Sequence, residues 1–580
     1  MPLTIENDKV TSWTVRKIAV VGPGIVGMPM AAMLAHARIT EGTTEPARVV
    51  VVQRNSPTSG WKVDAINDGR SPIGGVEPDL DRLVKESVAA GLLSAAHEYD
   101  ALADADMILI SVQTDKKGAE PDYGPMFEAL TGIALALQKR PSANVPVIVF
   151  ESTLAPSSMA TVIRDHFAKH GLLEGKDILL GNSPNRVMPG RLVERVAASD
   201  KIIAGLHPET PGLIRRIYAR FVTKGVLHAT NSMTAEVVKT LENAYRDVRI
   251  AYAAEVARYC DAQDIDFFAL RDSVNTLAKQ QDTASGDPQA VPSGGLLVPM
   301  LGVGGHCLPK DGVLLWWRAL EAGEDTSRSL ILESRRINDQ SPAETLAMAE
   351  RTIGSLRNKQ VALLGAAYRG NSEDTRNSPT LSFAKLLRAH GARVTIHDPY
   401  VHATDANLRL SGMNDVFTRD LAEAVRSADV IVLCSPHRLY TEDWKGWRKH
   451  ARRATHLFDA CNLMRSEDVT AVGLGYSGIG RGRKAPPAAL VMGVFAGFRA
   501  VEAGAANEVA GLVRFLNARY AQTPFNRVVF SEVQRIGGTC PTGCAIVNEG
   551  AALPPGESGF QSQLVRRALG AVGEPVTAFA

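Results

Sequence analysis

Short apolar runs bounded by turn residues set the rhythm of the chain: KIAVV at 17–21, RVVVV at 48–52, and further runs at 105–112, 145–150 and 177–180. Such runs, rich in Val and Ile, predict strands buried on both faces, as parallel sheets require. Helix-like stretches alternate with them, beginning with the Ala- and Met-rich segment 28–36. A stretch free of Pro and Gly over 232–262 predicts one long helix. The alternation returns with strands at 359–364, 394–396 and 430–433 and a helix at 380–390. An apolar, helix-like stretch follows at 488–520 despite Gly493, Gly497, Gly504 and Gly511. Strand–helix alternation is the pattern of an α/β protein, here with two such units.

Composition adds bounds. At 580 residues the chain has room for three or four domains of about 150 residues each. Hydrophobic and charged shares of 45% and 22% are ordinary, and a formal net charge of +2 points to neither nucleic acid nor membrane as a partner. No uncharged apolar run reaches the roughly 18 residues of a membrane span, and residues 1–16 lack an apolar signal core. Six cysteines suggest no disulfide framework, so a cytoplasmic location is expected.

Candidate chemistry begins after the first strand. Gly22-Pro23-Gly24-Ile25-Val26-Gly27 is a GxGxxG between a strand and a helix, the context of a dinucleotide site. Gly22 would allow the turn, Gly24 would admit the pyrophosphate, and Gly27 would let the helix pack close, with Ile25 and Val26 beside the cofactor. The second strand ends in Gln53 and Arg54 where an acid is expected. NAD is the first choice, and NADP stays open because Arg54 could meet a 2′-phosphate. Thr114, Glu151 and Thr153 follow later strands, at the edge where ligands bind; the two threonines serve equally well as helix caps.

Two further stretches carry reactive groups. Lys239, Asn243 and Arg246 or Asp247 share a face of the long helix, either as a site or as a solvated face. Leu301 to Asp311 unites glycines, Cys307, Pro309 and a Lys310-Asp311 pair; its thiol can attack a carbonyl if nearby charge favours the thiolate, or it can be a buried turn cysteine. Cys540 and Cys544 have no second ligand pair, and no metal site is expected.

These strings occur together with ESTLAP at 151–156, SPNRVMPG at 183–190, AEVVKTLENAYRDVRIAYAAE at 235–255, RRIND at 335–339, LLGAAYRGNSEDTRNSP at 363–379, HDPYV at 397–401 and GYSGIGRG at 475–482. In that order the chain resembles the UDP-glucose/GDP-mannose dehydrogenase family of nucleotide-sugar 6-dehydrogenases, nearest its UDP-N-acetylmannosamine branch. The resemblance implies two Rossmann-like, doubly wound domains joined by a long central helix, with a C-terminal extension of unknown fold. The implied divisions are a leading segment 1–15, an NAD domain 16–225, a central helical domain 226–340, a UDP-sugar domain 341–483 and the extension 484–580. It also implies a homodimer or larger assembly.

The implied chemistry is a four-electron oxidation of a UDP-sugar C6 alcohol to a carboxylate. Cys307 would form a thiohemiacetal and then a thioester, Lys239 and Asn243 would stabilise charge on the C6 oxygen, Asp311 would sit beside the nucleophile, and Thr153 would help to hold water. Substrate contacts would come from Asn185, Arg186, Val187, Arg246, Gly304, Arg369 and Arg376, the last often reaching across a subunit boundary.

One departure stands out: Asn185 occupies the place of a family Glu linked to general-base work, and an amide cannot act as that base. Glu151 or a water relay is the expected substitute. Arg369 replaces a common Lys. The competing readings are a single-step NAD(P) dehydrogenase, which would have no need of Cys307, and a nucleotide-sugar binding or regulatory protein with little turnover.

Overall fold

The computed structural model describes residues 3–6, 9–57, 59–75, 77–140, 145–187, 189–281, 295–537 and 560–570. The first sheet is built from β1 (Lys17–Val21), β2 (Arg48–Val52), β3 (Leu93–Ala96), β4 (Met107–Ile110), β5 (Val147–Phe150), β6 (Leu179–Asn182), β7 (Lys201–Gly205) and β8 (Leu227–Asn231), with α1 (Gly27–His36) following β1. Its spatial order is β8-β7-β6-β5-β4-β1-β2-β3. Strands β1 to β6 are parallel and in the doubly wound order 3-2-1-4-5-6. Strand β7 then runs antiparallel to β6. The sheet thus reaches Asn231, past the expected boundary at 225, because β8 pairs with β7 before the long helix starts.

The second sheet comprises β9 (Gln360–Leu364), β10 (Arg393–His397), β11 (Phe417–Thr418), β12 (Val430–Leu433), β13 (His456–Asp459) and β14 (Gly475–Gly478). It is parallel throughout in the order β11-β10-β9-β12-β13-β14, which repeats the doubly wound arrangement. The acid after β10, Asp398, accepts hydrogen bonds from the N–H groups of Ala366 (2.8 Å) and Ala367 (2.9 Å) in the loop after β9, and meets His437 Nε2 at 3.0 Å. Those amides are therefore spent on a carboxylate. Among the described residues no carboxylate accepts from the loop after β1, whose Gly22 and Gly24 amides donate to the carbonyls of Val52 and Gly22, so the two units are not equivalent as nucleotide sites.

Between the sheets run α2 (Ser232–Gln263), α3 (Phe267–Gln281), α4 (Leu308–Glu321) and α5 (Leu330–Ile353). Asn231 caps α2 by accepting from Thr234 N at 2.8 Å. The extension folds as α6 (Ala488–Tyr520), α7 (Phe530–Gly537) and α8 (Gln563–Ala568). Leu490, Val494, Phe498, Val501 and Leu512 of α6 join the same apolar core as α2 to α5. By length and composition α6 is apolar enough to cross a membrane, with a hydropathy of 1.4, yet half of that window is buried inside the protein. Cys540 and Cys544 lie outside the described residues.

Candidate active site

The glycine loop after β1 has the geometry its sequence predicts. Gly22 has φ +92°, and a Cβ on it would lie 2.9 Å from Ser111 O. A Cβ on Gly27 would come within 2.1 Å of Gly22 O, so α1 can start this close only with glycine there. Nothing lies within 4 Å of the place where Gly24 would carry a Cβ, which leaves the cradle open for a pyrophosphate. Ile25 and Val26 continue the loop into α1, partly buried against the first domain's core. At the ribose end, Gln53 Nε2 donates to Ser59 Oγ at 2.9 Å. Arg54 Nη1 lies 2.5 Å from Glu128 Oε2, so its charge is already answered where a 2′-phosphate would need it. That arrangement suits NAD.

Three parts of the chain converge on Cys307, which precedes α4 at its N-terminus, where the helix dipole favours an anion. From the second domain, Gly305 N donates to Arg376 O at 2.8 Å and Asn377 Nδ2 donates to Gly305 O at 3.0 Å. A Cβ on Gly304 would sit 2.4 Å from the Tyr368 Cβ, so the loop must be bare to pass beneath that ring. From the first domain, the backbone O of Thr114 meets His306 Nε2, and Thr114 Oγ1 donates to Thr153 O at 2.8 Å. His306 is pushed down to about 4, by burial and then by the Lys310 and Arg376 charges, so it is neutral at neutral pH.

From the long helix come Lys239 and Asn243. Asn243 Nδ2 donates to Asp311 Oδ2 at 2.6 Å, and Lys310 Nζ donates to Asp311 Oδ1 at 2.6 Å. Lys239 is 7% exposed, and its ammonium donates no hydrogen bond among the described residues. The Cys307 side chain reaches solvent while protein crowds its other sides. Desolvation and then the Asp311 charge raise the thiol; Lys310, Lys239 and Arg376 oppose them. Arg376 pairs with Asp374 of the same chain.

Arginines mark the neighbouring surface. Burial and then the like charges of Arg249, Arg369 and Arg195 lower the Arg246 guanidinium. Among the described residues, neither Arg246 nor Arg369 has a hydrogen-bonded or ion-paired partner for its side chain, a setting that suits a diphosphate. Arg195 escaped the sequence reading because it lies on a short helix, Leu192–Ala198, outside the family strings.

Two residues expected at ligands are engaged within the protein. Glu151, expected at the cofactor, is 1% exposed. It accepts from Lys201 Nζ at 2.8 Å and from Tyr218 Oη and Asn185 Nδ2. The cause is topological: β7 reverses direction, which places Lys201 at the edge where β5 ends. Burial raises the Glu151 carboxyl and lowers the Lys201 ammonium, each opposed by the other's charge. Arg186, expected at the substrate, is instead paired with Glu242 of α2 and donates to Asp200 O at 2.7 Å. Val187 packs against the first domain's core. Beside the loop, a cavity of about 140 Å³ is lined by Val303, Pro309, Asn338, Asp339 and Asn377 among others.

Comparison with known proteins matches this geometry. Residues 16–222 match the NAD binding domain of the UDP-glucose/GDP-mannose dehydrogenase family, residues 233–340 its central domain and residues 362–466 its UDP binding domain. A UDP-N-acetyl-D-mannosamine dehydrogenase of Pyrococcus horikoshii is 31% identical over 471 residues, 80% of this chain and 99% of the relative. An NDP-N-acetyl-D-galactosaminuronic acid dehydrogenase of Ralstonia nicotianae is 29% identical over 445 residues, 75% of this chain and 93% of the relative. The solved structure of the Pyrococcus horikoshii enzyme superposes with a TM-score of 0.65 at 31% identity, covering 80% of this chain and 99% of that one. That of an NDP-N-acetyl-D-galactosaminuronic acid dehydrogenase from Methanosarcina mazei does so with 0.64 at 30% identity, covering 81% and 96%. With its open glycine cradle and its UDP binding domain, the chain belongs to the UDP-glucose/GDP-mannose dehydrogenase family and is an NAD-dependent oxidoreductase of nucleotide sugars.

Proposed function

We propose that the enzyme oxidises the C6 alcohol of a UDP-hexosamine, similar to UDP-N-acetylmannosamine, to the uronic acid through covalent capture on Cys307. The observation that carries this reading is the grouping at Cys307 of Lys239, Lys310, Arg376 and the Asn243–Asp311 hydrogen bond. NAD held by Gly22, Gly24, Ile25, Val26 and Gly27 supplies a two-electron oxidant for each of the two oxidations.

The chain's own residues do the rest. The Cys307 sulfur adds to the aldehyde carbon; the carbonyl oxygen takes the electron pair as an alkoxide, faced by the Lys239 ammonium and the second N–H of Asn243. After the second oxidation the carbon is a thioester, and water displaces the Cys307 thiolate to release the carboxylic acid. The amide of Asn185 donates to Glu151, so its oxygen faces away from that carboxylate and can accept from a water. Asn185 thus orients water without removing its proton. Arg246 and Arg369 hold the diphosphate.

A homodimer belongs to the proposal, with an interface away from the stripe of α2 that carries Tyr245, Tyr252 and Glu255, since the extension covers that stripe. A cytoplasmic location is proposed on the four free thiols at Cys260, Cys307, Cys434 and Cys461.

The test is the yield of reduced cofactor per sugar with UDP-N-acetylmannosamine, UDP-N-acetylglucosamine and UDP-glucose. Two equivalents and a uronic acid support the reading. Two equivalents per active site in a single burst, with the sugar held on Cys307 as a thioester and no further turnover, show that Asn185 leaves hydrolysis blocked. Turnover by Cys307→Ser at the normal rate refutes covalent capture, and tight UDP-sugar binding without turnover favours a regulatory protein.

A further inference from the structure

The matched family domains end at residue 466, yet the extension is tied to the machinery around Cys307. Glu508 on α6 accepts four hydrogen bonds. Trp316 Nε1 at 2.6 Å and Ser329 Oγ at 2.7 Å reach one oxygen, and Leu330 N at 2.7 Å and Ile331 N at 3.4 Å reach the other. Trp316 belongs to α4, about 14 Å along the helix from Cys307 at 1.5 Å per residue. Leu330 and Ile331 open α5, where the carboxylate also meets the positive end of the helix dipole.

From α5 the connection continues to α2. Arg335 Nη1 and Asn338 Nδ2 donate to Asp247 Oδ1 at 2.9 and 2.8 Å, one helical turn from Asn243. One carboxylate of the extension therefore joins the helix that begins at Cys307 to α5, which is in turn clamped through Asp247 onto α2, the helix that bears Lys239 and Asn243. Further contacts repeat the pattern. The Tyr520 ring lies 4.9 Å from the Arg318 guanidinium near the end of α4, and Arg318 donates to Ser157 Oγ at 2.9 Å in the first domain. Ile536 O accepts from Arg186 Nη2 at 3.2 Å beside Asn185, and Arg527 O accepts from Asn231 Nδ2 at 2.9 Å at the start of α2.

We infer that the C-terminal extension positions the catalytic helices, with Glu508 as the residue that sets α4 against α2 and so keeps Cys307 and Asp311 in register with Lys239 and Asn243. The inference rests on the assignment of Cys307 as the nucleophile.

The test uses the full chain with Glu508→Ala, Glu508→Gln and Tyr520→Leu. Removing the acceptor from an indole, a hydroxyl and two helix N–H groups frees α4. The expected result for Glu508→Ala is a kcat lowered about tenfold, within the range that misplacement of about 1 Å produces. KM for NAD stays within about twofold of the wild-type value, because the glycine loop is untouched. The pH midpoint for iodoacetamide alkylation of Cys307 should shift as its charged neighbours loosen. Glu508→Gln keeps one acceptor oxygen but sets an NH2 group against the donors that met the other, so its kcat should fall less than that of Glu508→Ala yet stay below wild type, and Tyr520→Leu should lower kcat a few-fold.

Folded variants with wild-type kcat and alkylation profile would overturn the inference. If Glu508→Ala does not fold, full kcat in both Glu508→Gln and Tyr520→Leu does the same. The two readings separate cleanly: an active Cys307→Ser removes the nucleophile assignment, whereas an inactive Cys307→Ser beside fully active Glu508 variants removes only the positioning role.

Discussion

Asn243 donates a 2.6 Å hydrogen bond to Asp311, joining the long central helix to the first turn of the helix that begins at Cys307. The contact uses one N–H of the amide and leaves the other for an oxygen bound beside the thiol. Asp311 is held in turn by Lys310 at 2.6 Å. Asn243→Ala should lower kcat about 10²- to 10³-fold, the usual effect of losing one oxyanion donor, with KM for NAD unchanged. Steady-state kinetics checks this; a loss confined to KM would remove Asn243 from the transition state.

The charge of Asp311 raises the Cys307 thiol above its ordinary 9.0, second only to burial. Asp311→Asn removes that charge and releases Lys310 to face the sulfur. The thiol pKa should fall, so iodoacetamide alkylation at pH 8 should be faster in the variant while turnover drops. In the wild-type enzyme without NAD, the alkylation rate should still be climbing at pH 9. A plateau below pH 8 would contradict the assignment.

Arg54 is withheld from a 2′-phosphate by Glu128, 2.5 Å away at an exposed position. Glu128→Ala should free the guanidinium and raise the NADP-to-NAD ratio of kcat/KM roughly tenfold, the scale of one charge-assisted hydrogen bond. Arg54→Ala in the same background should cancel the gain. An unchanged ratio in Glu128→Ala would show that the adenosine ribose does not reach this pair.

Position 185 lies against Glu151, whose own charge is shared with Lys201 at 2.8 Å. Asn185→Glu would set two carboxylates over one ammonium, and like-charge repulsion would raise one of their pKa values. The new carboxylate becomes a base matched to a higher pH. Hydrolysis of the Cys307 thioester should accelerate as pH rises through neutrality, read as a shorter adduct lifetime by quenched-flow mass spectrometry. A lifetime unaltered across pH would mean that another group already removes the proton.

Much of this was present in local pattern. Gly22 needs a positive φ and Gly27 must pass within reach of Gly22 O, constraints carried by single residues, so GPGIVG could be read directly. Runs such as RVVVV at β2 announce strands buried on both faces, whereas LSAA at β3, LHATN at β8 and GYSG at β14 became strands only because a neighbouring strand paired with them. The grouping of Lys239, Asn243 and Cys307 came from resemblance to the family strings, and the structure brings the three to one place.

By itself, then, the sequence determined what nearest neighbours along the chain decide: the glycine turns, the buried strands, the long helix and the identity of the reactive groups. Tertiary structure decided who meets whom. Lys201 reaches Glu151 because β7 runs backwards, Arg186 turns to Glu242 because α2 passes beneath its loop, and Glu508 joins α4 to α5 because the extension packs across both. Those partners lie tens to hundreds of residues apart, and their pairing depends on strand direction, sheet register and helix packing, which no short stretch of sequence encodes.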